Sequence, residues 1–154
     1  MSINLKVGDK APDFKGKDQN GKEQSLQRYK GQKIALYFYP RDATPTCTVE
    51  ACNLRDNYGA LQQEGIIVLG VSTDDEKSHK KFEQKHQLPF PLIADTDLTI
   101  VKAYGVWQWK KFMGKTFEGT VRTTFLINEQ GKIAHIVNKV KSKEHAAQIL
   151  SLWQ

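Results

Sequence analysis

Two thiols, Cys47 and Cys52, stand five residues apart in the stretch YFYPRDATPTCTVEAC (residues 37–52), and the 154-residue chain has no others. Thr44 followed by Pro45 predicts a helix start directly before them. Threonine is a good N-cap, and proline suits the first helical position, where its missing N–H would be unpaired anyway. Cys47 then falls in the first turn, where free backbone N–H groups and the helix dipole favour negative charge. Both effects favour a thiolate, the form of cysteine that attacks.

That preference alone is a modest gain. A free thiol with a pKa of about 8.5 is roughly 3% ionised at pH 7, so full ionisation gives only about 30-fold. An efficient enzyme needs groups that polarise the bond being broken and align it with sulfur. The Thr44 hydroxyl, the Cys47 backbone N–H and an arginine from elsewhere are the candidate donors.

Five residues of helix advance about 7.5 Å and turn about 140°, which places the two Cα atoms about 8.6 Å apart. A disulfide needs them within roughly 7 Å. If Cys47 and Cys52 bond, the first helical turn must unwind. Spacing leaves redox chemistry, inert small hydrophobes and a metal site open. Metal has the least support, because neither a CxxC nor a nearby histidine pattern is present.

The elements that must position these thiols follow from the hydrophobic pattern. The opening DFKGKDQNGKEQSL carries Asn20-Gly21 between short alternating segments, the signal of a two-residue hairpin turn. KIALYFYP reads as a buried strand ended by Pro40. A helix is expected over 45–63, with Val49, Leu54, Tyr58 and Leu61 at helical spacing and Gly65 closing it. A strand (IIVLGVS), a charged helix with Phe82 inward, a short strand (PFPLIAD) and a short helix (DLTIVKAYGV) come next. WQWKKFMGKTFEGT reads as a loop. TTFLIN and KIAHIVN form an antiparallel hairpin, and KEHAAQILSLW a last helix. This is one α/β domain over residues 1–154, with a central mixed β-sheet flanked by helices. A thioredoxin-like fold with an N-terminal β-hairpin extension fits the order of elements.

Bulk properties narrow the function. Hydrophobic residues make up 39% and charged residues 26%, as in an ordinary globule. No apolar run approaches the roughly 20 residues of a membrane span, and no leader pattern opens the chain, so a cytoplasmic protein without membrane contact is expected. Two cysteines are weak evidence for a structural staple in that compartment. The net charge of +6 is spread over lysines and arginines interleaved with acids, which argues for a solvated basic surface and against a nucleic-acid partner.

With these residues in view, the chain resembles the peroxiredoxins, in their bacterioferritin-comigratory, PrxQ-like branch. The resemblance runs through GDKAPDF, FYPRDATPTCTVEAC, VWQWKKFMGKTFEG and VRTTFLIN, nearly the whole length. The family pattern Pro-x-x-x-Thr-x-x-Cys is met by Pro40, Thr44 and Cys47, and its late arginine by Arg122. The resemblance implies a thiol-dependent peroxidase acting in antioxidant defence without cofactor or metal. Cys47 would be the peroxidatic cysteine, and Thr44 and Arg122 would bind the oxygens of hydrogen peroxide or an organic hydroperoxide. Pro40 would shield the sulfenic acid. Cys52 would resolve it into an intramolecular Cys47–Cys52 disulfide, reduced by thioredoxin or a similar dithiol donor, in a monomer. Glu50 fits the family's acidic position and would order arginine side chains; a solvated glutamate near a helix start is its plainer alternative. Two departures stand out. Thr46 replaces a common glycine, bearing on how the first turn unwinds, and Trp109 replaces a polar residue, bearing on access.

Other residues carry less. His79, His86, His135 and His145 are scattered, which suits surface or packing roles. Trp107, Trp109, Phe112 and Phe117 either line an apolar approach for organic hydroperoxides or simply pack a long loop. Tyr37 and Tyr39 alternate with Phe38, so one strand face is core and the other turns toward the pocket. Two rival readings are a thiol–disulfide oxidoreductase, which would be expected to carry CxxC, and a non-enzymatic binding protein using the basic surface.

Overall fold

The computed structural model describes residues 4–153. Strand β3 (Lys33–Phe38) reads KIALYF without polar alternation because both of its faces are covered. Ala35, Tyr37 and the following Tyr39 enter one buried cluster, while Ile34, Leu36 and Phe38 enter another on the opposite side. The Tyr37–Tyr39 face is therefore core as well, and it is the face that Cys47 joins.

Around β3 lie β4 (Ile66–Ser72), β5 (Leu92–Ala94), β8 (Thr123–Ile127) and β9 (Ile133–Val137), in the order β5-β4-β3-β8-β9. The β3–β4 and β4–β5 pairs are parallel, and β3–β8 and β8–β9 are antiparallel. This is the mixed sheet expected. Helices α1 (Pro45–Asp56), α2 (Tyr58–Gln63), α3 (Glu76–His86) and α5 (His145–Leu152) bury residues in the Tyr37 cluster, and α4 (Thr99–Ala103) in the Phe38 cluster. At roughly 1.5–3 kcal/mol per large apolar side chain, these two layers supply the main stabilisation.

The N-terminal hairpin, β1 (Lys15–Lys17) and β2 (Glu23–Ser25), is present, but its turn is not the two-residue type. Asp18 organises a longer loop: its Oδ1 accepts from Asn20 N at 2.8 Å and Lys22 N at 3.1 Å, with Gly21 at φ +72°. Asp18 Oδ2 also holds Gln24 Nε2 at 2.8 Å, so the acid has more to bond than a tight Asn-Gly turn would offer.

The helix expected over 45–63 is two. Asn57 separates them with φ −112° and ψ 14°, and its Nδ2 donates to Asn53 O at 2.8 Å, competing with continuation of the helix. Within α1 the inward face is Cys47, Glu50, Ala51 and Leu54, whereas Val49 is 39% exposed. Hydrophobicity would have turned Val49 inward and Glu50 outward; the i, i+3, i+4, i+7 series starting at Cys47 does the opposite.

The stretch read as a loop after Gly105 is a β-hairpin, β6 (Trp107–Phe112) and β7 (Lys115–Thr120), paired from Trp107↔Thr120 to Phe112↔Lys115. Met113 (φ +52°) and Gly114 (φ +79°) both take the left-handed conformation of a primed two-residue turn. Methionine hides that turn from sequence inspection. The hairpin forms its own two-stranded sheet outside the main one.

Candidate active site

Beyond β3, the chain enters the loop Pro40–Thr44 that leads into α1, and the loop is fixed by one buried acid. Asp42 Oδ1 accepts from Tyr39 Oη at 2.6 Å, and its Oδ2 accepts from Ser78 Oγ at 2.8 Å and lies 2.7 Å from His79 Nδ1. His79 Nε2 in turn meets Ile93 O at 3.0 Å, and Asp42 N donates to Asp74 Oδ2 at 2.8 Å. Ala43 carries φ +63°, a conformation costing about 1–2 kcal/mol outside glycine, which these bonds offset. The ligand atoms of Asp42, Asp74 and His79 lie within 4.8 Å of one another, close enough to suggest a cation. They are occupied by hydrogen bonds instead, as Ser72 Oγ also donates to Asp74 Oδ2 at 2.6 Å. His79 thus packs, as its scattered position suggested, but as a fully buried member of a polar network whose outer residues, Asp74 and Ser78, are half-buried.

Thr44 takes the N-cap position of α1 without capping it. Its hydroxyl donates back to Arg41 O at 2.9 Å, so it is not the free donor expected from the sequence; its lone pairs are left to accept. Pro45 occupies the first turn as expected, and Thr46 is exposed. Cys47, three residues inside the helix, is 1% exposed, with a backbone N–H that has no partner within the helix. Cys52, further along α1, is half-buried, and both thiols are free. Pro40 is half-buried at the start of the loop.

Arg122, just before β8, reaches across to this helix. Its Nη2 donates to Cys47 Sγ at 3.3 Å and its Nη1 to Glu50 Oε1 at 2.5 Å. The structure therefore brings together Cys47, Arg122 and Glu50, with Thr44 at the same helix end. It does not bring Cys47 against Cys52 while α1 is intact. Glu50 is not the solvated glutamate: it is fully buried, and burial pushes its carboxyl up to about 7 against the opposing pull of Arg122. Burial lowers the Arg122 pKa, but the Glu50 carboxylate and the Cys47 sulfur more than offset this and raise it. Lys110, on β6, is held below its usual value by burial and then by the charge of Arg122, with Cys47 pulling the other way.

His145 is the residue of this site that sequence reasoning missed. It opens α5, is fully buried, and places Nε2 2.7 Å from Thr124 Oγ1 and 3.6 Å from Glu50 Oε2. Burial first, then the Arg122 charge, lowers its pKa to about 4. A histidine after the charged run KSKE offers no periodic signal. Only the sheet register brings it near, by placing Thr124 beside Tyr37 under α1. The aromatic approach expected from four rings is not formed as a unit. Trp107 packs on the Phe38 side of the core, whereas Trp109, Phe112 and Phe117 are exposed along the hairpin.

The AhpC/TSA family model matches residues 7–136, a span that holds every one of these residues except His145. Peroxiredoxin Bcp of Bacillus subtilis (strain 168) is 42% identical over 148 residues, covering 96% of this chain and 94% of its own. Peroxiredoxin Bcp of Escherichia coli (strain K12) is 44% identical over 147 residues, with 96% and 94% covered. Among solved structures, a cysteine-to-serine mutant of Xanthomonas campestris peroxiredoxin Q matches with a TM-score of 0.88 at 31% identity, covering 99% of this chain and 98% of that one. A PrxQ mutant of Xylella fastidiosa matches with a TM-score of 0.91 at 30% identity, covering 97% and 96%. No described helix is long and apolar enough to cross a membrane. A thioredoxin-like fold and similarity to these relatives over nearly the full length lead to one assignment: the chain belongs to the AhpC/TSA family, in the Bcp/PrxQ branch of the peroxiredoxins, which are thiol-dependent peroxidases.

Proposed function

We propose that this peroxidase works through Cys47, with Arg122 and Thr44 binding the peroxide and Cys52 resolving the product. The observation that carries the reading is the contact of Arg122 Nη2 with Cys47 Sγ, 3.3 Å apart, because it places a fixed positive donor where charge moves during attack. The Cys47 thiolate attacks the terminal peroxide oxygen, the S–O bond forms as the O–O bond breaks, and the departing oxygen becomes water or an alcohol. Arg122 and the free Cys47 N–H donate to the oxygens. Thr44, whose own proton is taken by Arg41 O, accepts the hydroperoxide O–H and sets its direction. Pro40 shields the sulfenic acid. A structure of the Xanthomonas campestris bacterioferritin comigratory protein is described in terms of alkyl peroxide reduction, which supports organic hydroperoxides beside hydrogen peroxide as substrates here.

The sulfenic acid of Cys47 then condenses with the Cys52 thiol, releasing water and forming the intramolecular disulfide. Both residues lie in α1, so about 8.6 Å must shrink below roughly 7 Å, and the first turn unwinds. A thioredoxin-type dithiol reduces the disulfide and the helix reforms, in a cytoplasmic monomer that needs no partner subunit. Fast resolution protects the sulfenic acid from irreversible oxidation.

One equivalent of hydrogen peroxide added to reduced protein tests this reading. Loss of both thiols, with an intact mass lower by two hydrogens and no dimer, is the expected result. Two thiols untouched at micromolar peroxide would overturn it and leave the thiol–disulfide oxidoreductase as the better reading.

A further inference from the structure

Glu50 has two carboxylate oxygens in different situations. Oε1 accepts from Arg122, while Oε2 is buried without any hydrogen-bond partner and faces His145 Nε2 at 3.6 Å. The contacts of His145 fix its tautomer. Gln148 Oε1 receives Lys141 N–H at 3.1 Å, and Gln148 Nε2 donates to Lys139 O at 2.9 Å, so the amide oxygen is the atom 2.9 Å from His145 Nδ1. An amide oxygen only accepts, so Nδ1 carries the hydrogen and Nε2 carries a lone pair. Thr124 Oγ1 fills that lone pair at present. Nε2 is thus satisfied, while Oε2 stands unpartnered against it in a region sealed from water, a costly arrangement that a proton on Oε2, shared toward Nε2, would relieve.

The charges around Glu50 give that proton a use. Arg122 stands between two groups that can be anionic, the Cys47 sulfur on the same helix and the Glu50 carboxyl. Tyr37 of β3, His145 of α5 and Lys110 of β6 also face this region. Burial holds the tyrosine protonated and the histidine neutral near pH 7. Lys110 feels both Arg122 and Cys47, but gives its ammonium to Thr120 O at 3.0 Å. Arg122 alone bonds both the sulfur and the carboxyl, and two anions against one guanidinium push one another toward protonation. With Cys47 as thiolate, a neutral Glu50 leaves the cluster balanced. Once Cys47 is a neutral sulfenic acid, an ionised Glu50 does.

Resting on the peroxidase reading, we propose that Glu50, backed by His145, stores a proton behind Arg122 and releases it as Cys47 is oxidised. The balanced step is thiolate plus ROOH plus Glu50–COOH giving Cys47–SOH plus ROH plus Glu50–COO⁻. Sulfur loses two electrons to the peroxide, the O–O bond breaks, and the departing alkoxide gains one proton. Glu50 does not touch the substrate: the departing alkoxide takes its proton from solvent and Glu50 gives one up to solvent, so the count is a net one. Glu50 and His145 are positioning residues that leave the net charge around Arg122 the same before and after the attack. A carboxyl that burial raises to about 7 is suited to either state at neutral pH.

The test is proton counting in a Cys52→Ser background, which stops the reaction at the sulfenic acid. One equivalent of hydrogen peroxide is added at pH 7 in weak buffer. A pH indicator reads protons taken up, and ultraviolet absorbance reads thiolate lost. A store half-filled at pH 7 gives an uptake of about half a proton per thiolate, rising about twofold to one proton per thiolate in Glu50→Gln. His145→Phe, which keeps a ring but no lone pair, shifts the pH at which the half-proton deficit appears. Infrared spectra of the Cys52→Ser protein supply a readout that needs no change at Glu50: a protonated-carboxyl stretch present before oxidation and lost after it. Uptake of one proton per thiolate from pH 6 to 8 with Glu50 intact, or no such stretch, overturns the proposal. Thiolate absorbance that peroxide does not remove would instead overturn the peroxidase reading itself.

Discussion

Arg122 holds the sulfur of Cys47 at 3.3 Å through Nη2 while Nη1 is committed to Glu50, so the two bonds fix the guanidinium plane rather than a point charge. Lysine cannot reproduce that fork. Arg122→Ala is expected to lower kcat/KM for hydrogen peroxide by about 10²–10³-fold, the size of losing one donor to developing negative charge. Arg122→Lys should recover only part of it. Stopped-flow kinetics of Cys47 oxidation reads both, and an alanine variant within twofold of the parent would remove Arg122 from the chemistry.

Glu50 and His145 oppose one another in the pH dependence of stability. The Glu50 carboxyl is raised from 4.5 to about 7, so its contribution is fully present below pH 4.5 and is lost as pH rises through 7. His145 is lowered from 6.5 to about 4, so its contribution is present above pH 6.5 and is lost as pH falls through 4. Each is worth on the order of 3 kcal/mol, and they largely cancel between pH 4.5 and 6.5. Relative to the parent, Glu50→Gln should lose stability on moving from pH 7 to pH 5, and His145→Phe should gain it. Urea unfolding at the two pH values decides the matter, and parallel shifts in both variants would count against the opposed pair.

The thiol loop and the main sheet were legible because their signals are local. Thr44-Pro45 marks the helix start, and KIALYFYP marks a strand buried on both faces. The Pro40, Thr44, Cys47 and Arg122 pattern carries the family resemblance. What stayed hidden depends on residues distant in sequence. Glu50 turns inward because Arg122 and His145, 72 and 95 positions later, wait on the sheet side of α1. Asp42 and His79 became a buried pair only when α3 packed against the loop. The β6–β7 hairpin was missed because Met113-Gly114 is an uncommon primed turn, and the break at Asn57 because a side-chain bond rather than a proline or glycine made it.

Cys52 is half-buried and, like Cys47, a free thiol of the intact helix, so its removal should leave the first oxidation untouched. Cys52→Ser is expected to oxidise once at the parental rate, stall in the thioredoxin-linked cycle, and accumulate sulfinic acid with excess peroxide. Intact mass after graded peroxide distinguishes these species. Normal cycling of Cys52→Ser with thioredoxin would mean that another thiol, from outside the chain, resolves Cys47.

Asn53, next to Cys52, sets how far the unwinding can travel. Its Nδ2 donates to Lys143 O at 2.8 Å, and its Oδ1 accepts from Ala146 N at 2.8 Å, so it ties α1 to the start of α5. The Ala146 N–H belongs to the first turn of α5 and has no partner within that helix, so Asn53 acts as a cap supplied from another element. The residues that must move, from Pro45 to about Glu50, precede this clamp; Cys52 sits against it. Oxidation should therefore melt the start of α1 while its end stays fixed, which brings Cys47 to Cys52 rather than both into solution. Asn53→Ala is expected to cost about 1–3 kcal/mol of stability, because it leaves one buried N–H without an acceptor. Amide hydrogen exchange after one equivalent of peroxide should show protection lost over residues 48–50 and kept over 53–56 in the parent. In the alanine variant the loss should spread through residue 56. Equal loss along all of α1 in the parent would show that the clamp does not confine the unwinding.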